Sequence, residues 1–126
     1  MNQNSVPATI GYLRIGVGIL SWAAPNLTGR LFGLDPAGNA QSPYLLRLFG
    51  IRDLALGAGT LTAGDDAQRA WLTAGLACDV ADVAAALMGR RAGYLATPGA
   101  LMLVAAASSG VALGVVALRN GDSPPV

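Results

Sequence analysis

Histidine, lysine and glutamate are absent from this sequence of 126 residues, so its eight cationic side chains are all Arg and its seven acidic ones all Asp. Each absence removes chemistry. Without His there is no imidazole base and no histidine-bound haem. Without Lys there is neither a Schiff base nor a Lys-bearing phosphate loop. The single Cys78 excludes an internal disulfide and a Cys-x-x-Cys redox pair, and in an apolar setting it reads as a small core residue rather than a nucleophile. Charge itself is scarce, at 12% of residues against roughly 25% in a soluble domain. The hydrophobic fraction is 53% and the mean hydropathy +0.51, which assigns the chain to the membrane class as one domain. A net charge of +1 gives no case for nucleic acid. Catalysis, if present, runs on Asp, Arg, Tyr, Ser/Thr or that one thiol, and no cofactor or metal is expected. No cleavable leader is expected ahead of the first apolar run.

Four apolar stretches follow, at 9–24, 44–63, 71–88 and 96–118, separated by segments rich in Gly, Pro and Asp. A span needs about 20 residues, so an all-α, integral membrane four-helix bundle is expected. Between the first two stretches, Leu27, Leu31, Phe32 and Leu34 recur at helical spacing beside Arg30 and are stopped by Asp35-Pro36. This predicts a short helix lying in the headgroup region. Tyr12, Trp22, Tyr44 and Trp71 are expected as interfacial anchors, and the polar tail 122–126 as a frayed end. Arg30, Arg47, Arg90 and Arg91 fall on one side of the bundle, Arg69 and Arg119 on the other. That bias puts both termini outside a cytoplasmic membrane. Ala106, Gly110 and Gly114, and likewise Ala77, Ala81 and Ala85, form stripes of small residues suited to close packing, inside the bundle or in a dimer seam.

The informative feature is the charge inside the runs. Arg52 and Asp53 lie near the middle of the second, Asp79 and Asp82 in the third, and Arg14 in the first. An intramembrane charge costs about 2.5–3.5 kcal/mol on insertion scales and is a functional candidate by default. At ~1.5 Å per residue, Arg14, Arg52, Asp53 and Asp79 are all about 12–15 Å from one membrane side, with Asp82 slightly nearer to it. One layer is therefore expected. An Arg52–Asp79 pair is expected across the second and third spans, with Arg14 reaching Asp53 or Asp82, or else snorkelling towards Thr9. Asp53 shares a face with Gly50, Gly57 and Thr60, where glycine permits close approach. Two Arg against three Asp leave one carboxylate in excess, so one Asp is expected to hold a proton, with Asp79 the most central. A neutral acid beside a carboxylate is an acid/base pair.

The stretch Phe49-Gly-Ile-Arg52-Asp53-Leu-Ala-Leu-Gly57, followed by Asp79-Val-Ala-Asp82-Val, resembles an uncharacterised family of small four-span membrane proteins from actinobacteria and fungi. The resemblance implies the four-helix fold and a bacterial cytoplasmic membrane, and leaves the chemistry open. The residues favour a cofactor-free enzyme that opens, cyclises or isomerises a lipophilic small molecule. Asp53, Asp79, Asp82 and Arg52 would be catalytic, and Arg14, Tyr44 and Arg47 would contact the substrate. A non-catalytic membrane subunit or scaffold, with the charges fixing helix register, and a dimeric proton-coupled transporter are the alternatives.

Overall fold

The structure, a computed structural model, describes residues 5–121. They form α1 (Ser5–Ala23), α2 (Pro25–Leu31), α3 (Ser42–Thr62), α4 (Asp65–Ala92) and α5 (Thr97–Gly121), with no strand among the described residues. The expected frayed tail at 122–126 lies outside them. Local chemistry sets the boundaries. Pro25, Pro43 and Pro98 open α2, α3 and α5 in the first turn, where a missing N–H costs nothing. Asp65 and Asp66 start α4, and Arg90 and Arg91 end it, each sign matching the helix dipole. Gly93, at φ +85°, then caps α4 in the left-handed conformation that glycine adopts freely.

Three helices, α1, α4 and α5, are long and apolar enough to cross a membrane. The fourth expected span, α3, has the length but carries Arg47, Arg52 and Asp53, so apolarity alone does not mark it. The expected run 71–88 grows to the 28 residues of α4 because a dipole-matched, charged first turn extends it. The short helix between the first two long ones is present as α2, with Phe32 as its C-cap rather than within it.

The helices associate as two pairs. Antiparallel α1 and α3 meet along glycine: a Cβ on Gly18 would sit 2.7 Å from the Gly50 carbonyl oxygen, and one on Gly57 would sit 2.7 Å from that of Gly11. Antiparallel α4 and α5 form the second pair, with Gly110 over Asp79 and Gly114 over Leu76. The pairs join at the hairpin end, where Gly59 lies under the Trp71 ring and Gln68 Nε2 donates to the Thr60 carbonyl at 2.8 Å. A small apolar cluster of Val6, Ile10, Leu72 and Ala117 closes that end. At the opposite end the Gly33 carbonyl touches Gly99, tying the end of α2 to the first turn of α5.

The distribution of polarity is inverted relative to a soluble bundle. Arg14, Asp53 and Asp79 are buried, while Leu13, Ile19, Ile51, Leu87, Leu101 and Val116 point outward. Charge inside and large apolar side chains outside agree with three helices long and apolar enough to cross a membrane. The two small-residue stripes divide. Gly114 is buried and Gly110 partly so, but Ala77, Ala81 and Ala85 are exposed, so the α4 stripe does not pack inside the bundle.

Candidate functional site: a buried chain of alternating charge

All five ionisable residues of the expected layer meet. Arg14 on α1 donates from Nη1 to Asp53 Oδ1 at 3.2 Å and from Nη2 to Asp79 Oδ2 at 2.6 Å. Arg52 on α3 grips Asp82 of α4 with both terminal nitrogens, Nη1 to Oδ1 at 2.9 Å and Nη2 to Oδ2 at 2.8 Å. Its Nη2 also reaches Asp53 Oδ1 at 3.3 Å. The order is Asp79, Arg14, Asp53, Arg52, Asp82, with the sign changing at every step. The expected Arg52–Asp79 pair is not formed. Asp82, one helical turn beyond Asp79, faces the Arg52 fork and takes both of its bonds, while Arg14 turns inward to Asp79 instead of snorkelling.

Glycine makes room for these side chains on three facing helices. A Cβ at Gly57 would lie 3.1 Å from Arg14 Cβ, one at Gly75 would lie 3.0 Å from Arg14 Nη2, and one at Gly110 would collide with the Asp79 carboxylate. The missing Cβ atoms are what let an Arg and an Asp occupy the bundle centre.

The chain has a closed end and an open end. The side chains of Arg14, Asp53 and Asp79 are 10%, 7% and 9% exposed, whereas those of Arg52 and Asp82 are 32% and 34% exposed. At the open end the Arg52 guanidinium lies 4.7 Å from the centre of the Phe49 ring, a cation–π distance. Phe49 in turn meets Phe32 edge to face at 5.9 Å. Those two phenylalanines are the matching positions of the repeated Arg-Leu-Phe-Gly at 30–33 and 47–50. Arg52 Nε is buried with no acceptor. Beside the closed end, Arg14, Asp79, Thr60, Gly75 and Gly110 border a cavity of about 10 Å³, room for about one water molecule.

Two expected substrate contacts lie elsewhere. Tyr44 and Arg47 are exposed at the start of α3, and Arg47 Nε donates to the Trp22 carbonyl at 3.2 Å. Trp71, expected at the interface, covers Gly59 and borders the small cavity. Cys78 is half-buried and belongs to no bond of the chain. Gly75, which helical phase puts on the face of Asp79 and Asp82, and Gly110, expected in a packing stripe, are the glycines that make room for the charges. The signal for them was glycine at the depth of the charges on the neighbouring spans.

No family model matches the chain, and no curated protein or solved structure matches it.

The arrangement permits some chemistry and disfavours other kinds. Each pair of neighbouring carboxylates is separated by an Arg, which does not release its proton in proteins. The side chains alone therefore make a poor proton wire. They do make a strong clasp between the helix pairs, and at one end they present a carboxylate held in a planar fork.

Proposed function

We propose that the protein is an integral membrane protein whose four long helices all span the bilayer, as in the uncharacterised family its sequence resembles. In this reading it is a cofactor-free acid/base enzyme for a lipophilic small molecule. The observation that carries the reading is the contrast in exposure between two halves of one charged chain: 7–10% for the inner side chains and 32–34% for the Arg52–Asp82 pair. Arg14, Asp53 and Asp79 hold the bundle in register. Asp82 is the carboxylate a substrate can reach between α3 and α4. A hydroxyl on the substrate displaces one Arg52 bond and gives its proton to the Asp82 carboxylate, while Arg52 positions both. Asp53 and Asp79, expected to be catalytic from their depth, act in this reading by positioning.

The protonated-carboxyl reagent dicyclohexylcarbodiimide, which partitions into bilayers, tests this. In reconstituted vesicles, mass-spectrometric mapping should find Asp82 modified and Asp53 and Asp79 intact. Absence of labelling at Asp82 would leave the scaffold reading in its place. One observation favours that second reading: the cavity beside the inner triad holds about one water, about 10 Å³, and no substrate.

A further inference from the structure

The end of the bundle formed by α2, the start of α3 and the end of α4 carries Arg30, Arg47, Arg90 and Arg91, all exposed. Asp35 is the one acid among the described residues there, and its Oδ1 accepts from Gly38 N in its own turn at 3.1 Å. None of the four Arg is ion-paired to a described carboxylate. Arg47 spends only Nε on the Trp22 carbonyl, which leaves both terminal nitrogens free of any described partner. The opposite end differs in kind: Arg69 and Arg119 are offset there by Asp65 and Asp66.

We propose that this basic end is a docking surface for anionic phospholipid headgroups, an inference that rests on the membrane reading above. Charge complementarity names the partner, because Arg offers phosphodiesters a planar, two-pronged donor. The apolar neighbours fix the depth. Leu27 and Leu31, one turn apart on α2, are about half exposed, and Tyr44, Met88 and Tyr94 more so. A rim of Leu and Tyr around four unpaired guanidinium groups matches a headgroup layer: carbon below, phosphate above. A water-soluble phosphate would use the Arg but leave the Leu and Tyr rim uncovered. A protein partner with an acidic surface would face the same cations without acyl chains for the rim.

The surface has an inward connection. Phe32, at the end of α2, contacts Phe49, and Phe49 underlies Arg52. Lipid that fixes α2 therefore also fixes the floor beneath the open end of the charged chain.

The test reconstitutes the full chain into vesicles of equal phosphatidylcholine and phosphatidylglycerol and counts retained lipids by native mass spectrometry. Phosphatidylglycerol should be enriched on the protein. A juxtamembrane Arg is worth about fivefold in binding to an anionic surface. The double variant Arg90→Gln/Arg91→Gln should therefore reduce the enrichment about 25-fold, while Arg119→Gln at the other end leaves it unchanged. Equal retention of both lipids, or equal loss in the Arg119→Gln variant, would overturn the docking surface alone. Release of the protein from vesicles by alkaline carbonate would instead overturn the membrane reading, and this inference with it.

Discussion

Along α1 and α3, Gly11, Gly18, Gly50 and Gly57 bring two backbones together until an added Cβ would strike a carbonyl oxygen. Between α3 and α4, deeper than the hairpin end, the link is the Arg52 side chain stretched to Asp82. The first seam brings backbone against backbone at its glycines, and the second is made of side chains. In a bilayer no hydrophobic force draws helices together, which leaves close backbone packing and polar bonds as the two available devices. Close backbone packing holds the α1–α3 pair, with the Arg14–Asp53 bond beside it, and polar bonds reach between the pairs. Packing tolerates small polar changes and no added volume. A charged seam tolerates no unpaired charge.

The largest expected effect comes from breaking the charged seam at its centre. Arg14→Gln leaves Asp79 with no cation and Asp53 with only the 3.3 Å contact from Arg52. Loss of one partner of a buried pair costs about 3–5 kcal/mol, and unfolding in mixed micelles with increasing dodecyl sulfate should show it. A cost under about 1 kcal/mol, the level of an exposed pair, would mean the charges do not join the helix pairs. Next is the glycine seam. Gly18→Val drives a side chain into the Gly50 carbonyl and Leu54 N, 2.7 and 2.9 Å from a Cβ. The loss should be about 1–3 kcal/mol, the usual cost of overpacking. Hydrogen exchange should rise in α1 and α3 before α4 and α5, and a uniform rise would merge the two seams into one.

The smallest effect sharpens the charged seam from within. Asp53 makes the two long contacts of the chain, 3.2 and 3.3 Å, while Asp79 and Asp82 hold their Arg at 2.6 to 2.9 Å. Neutralising Asp53 leaves Arg14 on Asp79 and Arg52 on Asp82, two cations against two anions. Asp53→Asn should therefore cost about 1 kcal/mol or less, about the net worth of one hydrogen bond. Asp79→Asn, which removes the shortest ion pair, should cost about 3 kcal/mol in the same titration. The reverse order would restore the depth-based expectation, in which Asp79 is the carboxyl most readily neutral.

The membership of the charged layer was legible because depth is simple arithmetic on a helix: a fixed rise places Arg14, Arg52, Asp53, Asp79 and Asp82 together whatever their neighbours. The pairing inside it was not. Helical phase gives the face a residue occupies, but an Arg reaches across a whole turn, so Arg52 chose Asp82 over Asp79. Neighbourhood was half legible. The short 64–70 connection between the second and third apolar runs marked α3 and α4 as adjacent, yet the intimate contact is α1 on α3, written in the seven-residue spacing of Gly11 and Gly18 and of Gly50 and Gly57. Gly57 was singled out for sharing a face with Asp53. Its partners on α1 were not, because nothing local to α1 says which helix its glycines meet. The outward Ala77, Ala81 and Ala85 fall under the same limit, since small residues report closeness without naming a neighbour.

Arg14 also has a history in time. Its partners follow it in the chain by 39 and 65 residues, and at ribosomal speeds of about 5–20 residues per second the second arrives about 3–13 s after the Arg itself. In the membrane reading proposed above, until Asp53 is made α1 holds an unpaired guanidinium at bilayer depth, which its long side chain relieves by reaching for the nearer surface. Synthesis of α3 supplies one carboxylate and α4 the other. In the membrane reading proposed above, the pairing of Arg14 is therefore completed by the penultimate helix, and a ribosome stalled before Asp79 leaves Arg14 with only the longer of its two contacts, that to Asp53.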